Sequence, residues 1–247
     1  MLAAGFALFG VILGSFLNVC IDRIPRGGSL IKGRSHCDAC GHSLSALDLI
    51  PVASYLWLRG RCRYCGARIP PRVPAVEIGT GALFALIGLR YPASLEAVLI
   101  AAYSALLIVF LVIDLESGRI LNKLSYPAIG LALLAAPLTP RRTATEMLIG
   151  GAIGFGLLLL IALVYPAGMG MGDVKLAAFI GLAVGYPQVW LALFLAFVGG
   201  GSLSGALVLA KRIGRKDPIA FGPFLAAGAI ATMLYGEQIW SWWQGGI

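Results

Sequence analysis

The amino-acid sequence predicts an all-α polytopic membrane protein, a bundle of about eight transmembrane helices with a zinc-knuckle loop after the first. Three observations carry that reading. Of 247 residues, 59% are hydrophobic and only 12% charged, too few charges to cover a water-soluble domain. Apolar runs recur at 2–21, 75–90, 96–113, 124–138, 146–165, 174–185, 189–210 and 218–236, several near the roughly 20 residues that cross a bilayer. One sizeable polar segment, 22–74, separates the first run from the rest, and it holds four of the five cysteines.

The first run carries no Lys or Arg from Met1 to Val19, whereas a cleavable secretory signal opens on a basic stretch. Basic residues begin at Arg23, which predicts an N-terminus outside and the 22–74 loop inside, in the cytoplasm. Eight crossings then put the C-terminus outside and leave only Arg90, Arg141 and Arg142 of the 19 Lys and Arg on the outer face. The net charge of +8 therefore reads as positive-inside bias and not as a nucleic-acid surface, with anionic-lipid contact at the inner face as an addition.

The run 174–185 is the shortest, and a re-entrant segment is the competing reading. A crossing there keeps "KRIGRKD" (211–217) inside, as the charge rule asks. "VGGGSLSGA" (198–206) supplies small residues for close helix packing. The division expected is a first helix (1–21), a zinc-binding loop (22–74) and a membrane-embedded domain (75–247).

Within the loop, "CDAC" (Cys37, Cys40) and "CRYC" (Cys62, Cys65) form two CxxC pairs, the spacing of a tetrahedral Zn²⁺ site in which each tight turn aims two thiolates at one point. Gly41 and Gly66 follow each pair, where the turn wants a small residue. Disulfides are the competing reading, disfavoured by a reducing compartment. A four-thiolate shell is closed, so the metal would be structural. His36 and His42 flank one knuckle and read as solvated, and Cys20 as a small buried residue.

Among the acids, Glu96 and Glu146 stand near helix starts, where the dipole favours them. Asp114 and Asp173 are different. Asp114 ends "SALLIVFLVID", on the wrong end of a helix for its charge. Asp173 follows Gly170 and Gly172 in "GMGD", with Lys175 two residues on. The predicted topology puts both acids at the inner face. Two close carboxylates share one proton, and such a pair can activate water while protonating a carbonyl. The glycines would let a substrate peptide approach the backbone. A cap with a loose loop, or a proton relay in a transporter, competes with this from spacing alone. Lys175 either biases the pair or snorkels to the interface, and Glu116 reads as a solvated loop residue.

These residues resemble a known family. "GMGD" followed by Val174 and Lys175 matches the G-x-G-D-x-K motif of the type IV prepilin peptidases. "GSFLNVCIDRIP" (14–25), "LIPVASYLWLRGRCRYCG" (49–66), "PAVE" (74–77) and "FGPFLA" (221–226) follow in that family's order, so the resemblance spans almost the whole chain. Two departures are Leu121 where relatives carry Pro, and Val73 where a Tyr precedes the Pro.

The resemblance implies that Asp114 and Asp173 are a catalytic aspartyl pair, with Gly170, Gly172 and Lys175 in the substrate loop. It implies a prepilin or type II secretion pseudopilin substrate, cut at the cytoplasmic face of a bacterial inner membrane. It further implies N-methylation of the new N-terminus with S-adenosylmethionine, placing a methyltransferase region in 22–74 and the peptidase in 75–247. Glu77 and the "GSFLN" residues are candidate contributors to methyl transfer. Competing functions are a peptidase without methyl transfer, a presenilin-type GxGD protease, a proton-coupled transporter, and an inactive assembly factor docking through the zinc loop. Ile113 stands where presenilin-type proteases carry Tyr.

Overall fold

The computed structural model describes residues 1–139, 142–166, 168–212, 214 and 219–245. Arg141, Arg215, Lys216, Asp217 and Pro218, all used above, lie outside the described residues. The chain is all-helical apart from two isolated β-bridges among those residues. It divides into two compact units, 1–109 and 110–247.

The first unit is built on α1 (Leu2–Arg23) and α3 (Arg72–Arg90), which pack along one another. A Cβ added to Gly14 would stand 2.7 Å from the Glu77 backbone, and one on Gly88 would stand 3.0 Å from that of Ala3. Glycine at the contact thus lets the two backbones approach, as in lipid, where packing replaces the hydrophobic drive between helices. Leu17, Ile21, Val76, Phe84 and Ile87 fill the space between them. Arg72 donates to Asp22 at 2.7 Å, tying the end of α1 to the start of α3. The intervening loop carries a 3₁₀ turn at Ala46–Leu49 and a short α2 (Ala53–Trp57). The helix α4 (Leu95–Ser117) begins in this unit.

The second unit holds the end of α4, α5 (Asn122–Ala135), α6 (Ala144–Val164), α7 (Met171–Val184), α8 (Gln188–Leu209) and α9 (Gly222–Gly245). Here α7 is central and packs on α5, α6, α8 and α9. Its Val174, Leu176, Ala177, Phe179 and Ile180 are fully buried, which explains a helix apolar all round. At 14 residues it rises about 21 Å, less than the roughly 30 Å hydrocarbon core. Enclosure by α5, α6, α8 and α9 makes that length workable. Gly150 on α6 meets Gly181 on α7 so closely that a Cβ on either would overlap the other's carbonyl oxygen.

Every predicted run corresponds to a helix, with ends that coincide or shift by up to nine residues. Residues 136–138 tighten into a 3₁₀ turn after α5. Five of the described helices, α1, α3, α4, α6 and α8, are long and apolar enough to span a membrane. Thr143 and Glu146 form a reciprocal capping box at the start of α6, and Glu96 lies in the first turn of α4, so both acids act as helix-end residues. In the 198–206 stretch, Gly199 and Gly200 face Phe224 and Phe221, while Gly201 and Gly205 meet nothing within 4 Å among the described residues.

Candidate active site and metal centre

Asp114 sits in the last turn of α4, directly after the apolar run. The helix stops at Gly118, whose positive φ of 61° suits a glycine and whose N–H donates to the Asp114 carbonyl at 2.8 Å. The Asp114 side chain is 5% exposed, and its Oδ2 accepts the Gly222 N–H at 3.1 Å. That donor comes from the first residue of α9, within "FGPFLA". Pro223 follows it, a residue suited to the opening of a helix.

Asp173 lies in the first turn of α7, two residues after Met171 and three after Gly170, the N-cap. Its N–H donates to the Gly170 carbonyl at 3.1 Å, and its Oδ1 is buried without a hydrogen-bond partner among the described residues. Gly172 sets how closely α7 approaches the 118–121 turn: a Cβ there would fall 2.8 Å from the Ile120 Cβ.

The two aspartates line one hollow of about 380 Å³, together with Gly118, Ile120, Asn122, Gly170 and Gly172. An uncommitted carboxylate oxygen beside a second carboxylate, in a space this size, is what a water and a peptide carbonyl would need. Lys175 points to neither acid. Its Nζ donates to Asn122 Oδ1 at 2.7 Å and lies 5.0 Å from the centre of the Tyr126 ring. Glu116 is exposed.

The sequence alone assigns no role to Gly222 or Asn122. The signal for Gly222 was the Gly-Pro pair opening a helix. For Asn122 it was a polar side chain opening α5 directly after the apolar Leu121.

The four knuckle cysteines come together with all their sulfurs within 4.8 Å of one another. Cys37 and Cys65 Sγ are 3.8 Å apart, the separation that tetrahedral Zn–S bonds of about 2.3 Å would produce. None of the five cysteines is in a disulfide. The two knuckles repeat one design. Gly41 donates to the Cys37 carbonyl and Gly66 to the Cys62 carbonyl, at 2.8 and 3.0 Å, both with positive φ. Cys37 pairs its N–H with His42, and Cys62 with Ala67.

The backbone N–H groups of Cys40 and Ala39 pull the Cys37 thiol down to about 7. At Cys65 the Ala67 N–H also pulls down, but burial and the other three thiols prevail, and it rises to about 12. Four thiols this close cannot all ionise without a cation among them. The donor set therefore fits zinc, which Cys37, Cys40, Cys62 and Cys65 would hold as a closed structural site.

Asp48 braces this centre. Its carboxylate accepts from the Ser45 hydroxyl at 2.7 Å, Arg63 Nε at 2.7 Å and the Tyr64 hydroxyl at 3.1 Å, and these donors hold its carboxyl at about 2. His42 stacks on the Tyr64 ring at 3.7 Å, so it braces the opposite knuckle, and His36 Nδ1 lies 3.4 Å from the Arg34 carbonyl. Glu77 is not a helix-end acid. It is 4% exposed, accepts the Val52 N–H at 2.7 Å and hydrogen-bonds Ser15. Asn18 is also buried and donates to the Val73 carbonyl at 3.0 Å.

Fold and metal centre together define a multi-pass helical membrane protein with a four-cysteine knuckle between its first two spans. Residues 8–91 match the bacterial peptidase A24 N-terminal domain, and residues 101–205 match the type IV leader peptidase family. A prepilin leader peptidase/N-methyltransferase of Bacillus subtilis is 36% identical over 96% of this chain and 95% of its own. Proteins of the same name from Dichelobacter nodosus and Aeromonas hydrophila are 32% and 30% identical, over 94% and 96% of this chain and 91% of each of theirs. No solved structure matches. The chain belongs to the type IV leader peptidase family.

Proposed function

We propose that this protein removes the leader peptide of type IV prepilins or type II secretion pseudopilins, with Asp114 and Asp173 as the catalytic pair. The observation that carries this is the single hollow lined by both carboxylates. One ionised carboxylate takes a proton from water, and the hydroxide adds to the scissile carbonyl carbon. The other, protonated, gives its proton to the carbonyl oxygen. The tetrahedral intermediate collapses as the C–N bond breaks: the first acid's new proton passes to the leaving amine, and one hydroxyl proton of the intermediate returns to the second carboxylate, restoring the pair. Gly222 N–H fixes the Asp114 carboxylate. Gly170 and Gly172 leave the mouth open to an extended peptide, and Lys175 holds its opposite rim through Asn122.

The charge distribution supports an inner-membrane protein with both termini outside, its knuckle loop and carboxylate pair at the cytoplasmic face. Zinc in the knuckles would be structural and take no part in either reaction. Family membership and the relatives' names support a second activity, methylation of the new N-terminal amine with S-adenosylmethionine. That donor is a sulfonium cation, so a second hollow beside the knuckles, lined by three arginines, does not fit it.

The test is incubation of the purified protein with a prepilin and S-adenosylmethionine, followed by intact-mass measurement. The reading expects loss of the leader and a gain of about 14 Da, the mass difference when a methyl group takes the place of one amine hydrogen. An intact prepilin would overturn the peptidase, and a cut but unmethylated product would overturn the second activity alone.

A further inference from the structure

The second hollow, about 420 Å³, lies in the first unit and is lined by Tyr55, Arg59, Arg61, Arg68, Pro70 and Pro71, among others. No acid lines it, and none of its three arginines is in an ion pair among the described residues. Arg63, between them in sequence, is by contrast taken up by Asp48. The backbone is arranged to make this concavity. Arg59 and Gly60 both have positive φ, at 53° and 67°, and a Cβ on Gly60 would meet the Tyr55 ring at 3.0 Å. Arg61 and Arg68 are paired across a β-bridge, which holds their backbones side by side.

Its position names the ligand. Pro71 is the N-cap of α3, and Arg72 begins a span long and apolar enough to cross a membrane. Arg72 also pairs with Asp22 at the end of α1, another such span. The hollow therefore opens where two spans leave the hydrocarbon, at the level of phospholipid headgroups. The two residues after Tyr55, Leu56 and Trp57, are 67% and 50% exposed. An exposed Leu–Trp pair beside the arginines suits the interfacial layer, where Trp sits at headgroup depth.

We propose that Arg59, Arg61 and Arg68 bind the phosphodiester of an anionic phospholipid, with Leu56 and Trp57 dipping into the interface beside it. This contact would fix the knuckle loop against the membrane. Guanidinium forks match phosphate oxygens, and each such residue near an anionic surface contributes roughly fivefold in binding. The proposal stands independently of peptidase activity, since its readout is lipid contact alone.

The test is hydrogen exchange of the full-length, zinc-replete protein in nanodiscs of phosphatidylcholine alone or mixed with phosphatidylglycerol. Amides in 53–61 are expected to exchange several-fold more slowly in the anionic discs, and Arg59→Gln with Arg68→Gln should abolish that difference. Arg26→Gln with Lys32→Gln removes equal charge elsewhere in the loop and should leave it intact. Equal protection in both lipids, or equal loss in the control pair, would overturn the site. Protection by inorganic phosphate in phosphatidylcholine discs would assign the hollow to a soluble anion and overturn the lipid. Protection that appears only on adding prepilin would assign it to the substrate.

Discussion

Lys175 on α7 donates to Asn122, the first residue of α5, with Nζ 2.7 Å from Oδ1. Asn122 lines the hollow that holds both aspartates, so the pair ties two walls of the candidate site. Lys175→Ala and Asn122→Ala should each lower kcat for leader cleavage about tenfold, on the scale of a charge-assisted hydrogen bond. Because the two act as one unit, the double variant should lose no more than either single. Additive losses in that cycle would mean separate roles.

Gly222 is sterically committed. A Cβ there would lie 2.6 Å from Asp114 Oδ2 and 3.1 Å from its Cγ. Gly222→Ala is expected to push the carboxylate aside and cut peptidase activity on the order of a hundredfold, as misplacements near 1 Å do. Circular dichroism should report unchanged helix content. Near-normal cleavage by a folded variant would show that the Asp114 position is not critical.

Asp48 gives the loop an acid-sensitive brace. Its folded carboxyl titrates at about 2, below the roughly 3.9 of an unfolded Asp. A depressed folded value means its stabilisation is complete above the unfolded value and is lost as pH falls from about 4 toward 2. Hydrogen exchange of residues 45–65 should be faster in Asp48→Asn than in wild type at pH 6. The gap should close as pH falls through that window. A gap independent of pH would assign the effect to packing.

The knuckles should stand or fall as one site. Metal analysis should find about one zinc per chain in the wild type and almost none in Cys62→Ser with Cys65→Ser, since two thiolates do not complete a tetrahedral shell. Retained zinc in that double variant would contradict the four-thiolate centre.

Much of this architecture could be read from the chain. Long apolar runs named the helices because a bilayer demands a minimum apolar length, and CxxC spacing brought four sulfurs together because the knuckle is a local turn. Asp114 and Asp173 stood out through their cost, as acids at the ends of apolar segments. What could not be read was the contact between distant parts. Gly222 reaches Asp114 across 108 residues and Asn122 reaches Lys175 across 53, and no periodicity encodes such pairs. Glu77 entered only through the family resemblance, and its partner, the Val52 N–H, lies in a loop 25 residues away.

The most direct test compares cleavage of a purified prepilin by wild type, Asp114→Asn and Asp173→Asn in matched membranes. Each asparagine keeps the side-chain shape and removes the carboxylate. The account predicts that wild type releases the leader while both variants, folded and zinc-replete, lose at least about a thousandfold in rate, as expected when a group shared by both proton transfers is removed. Cleavage near the wild-type rate by either variant would contradict the shared-carboxylate mechanism.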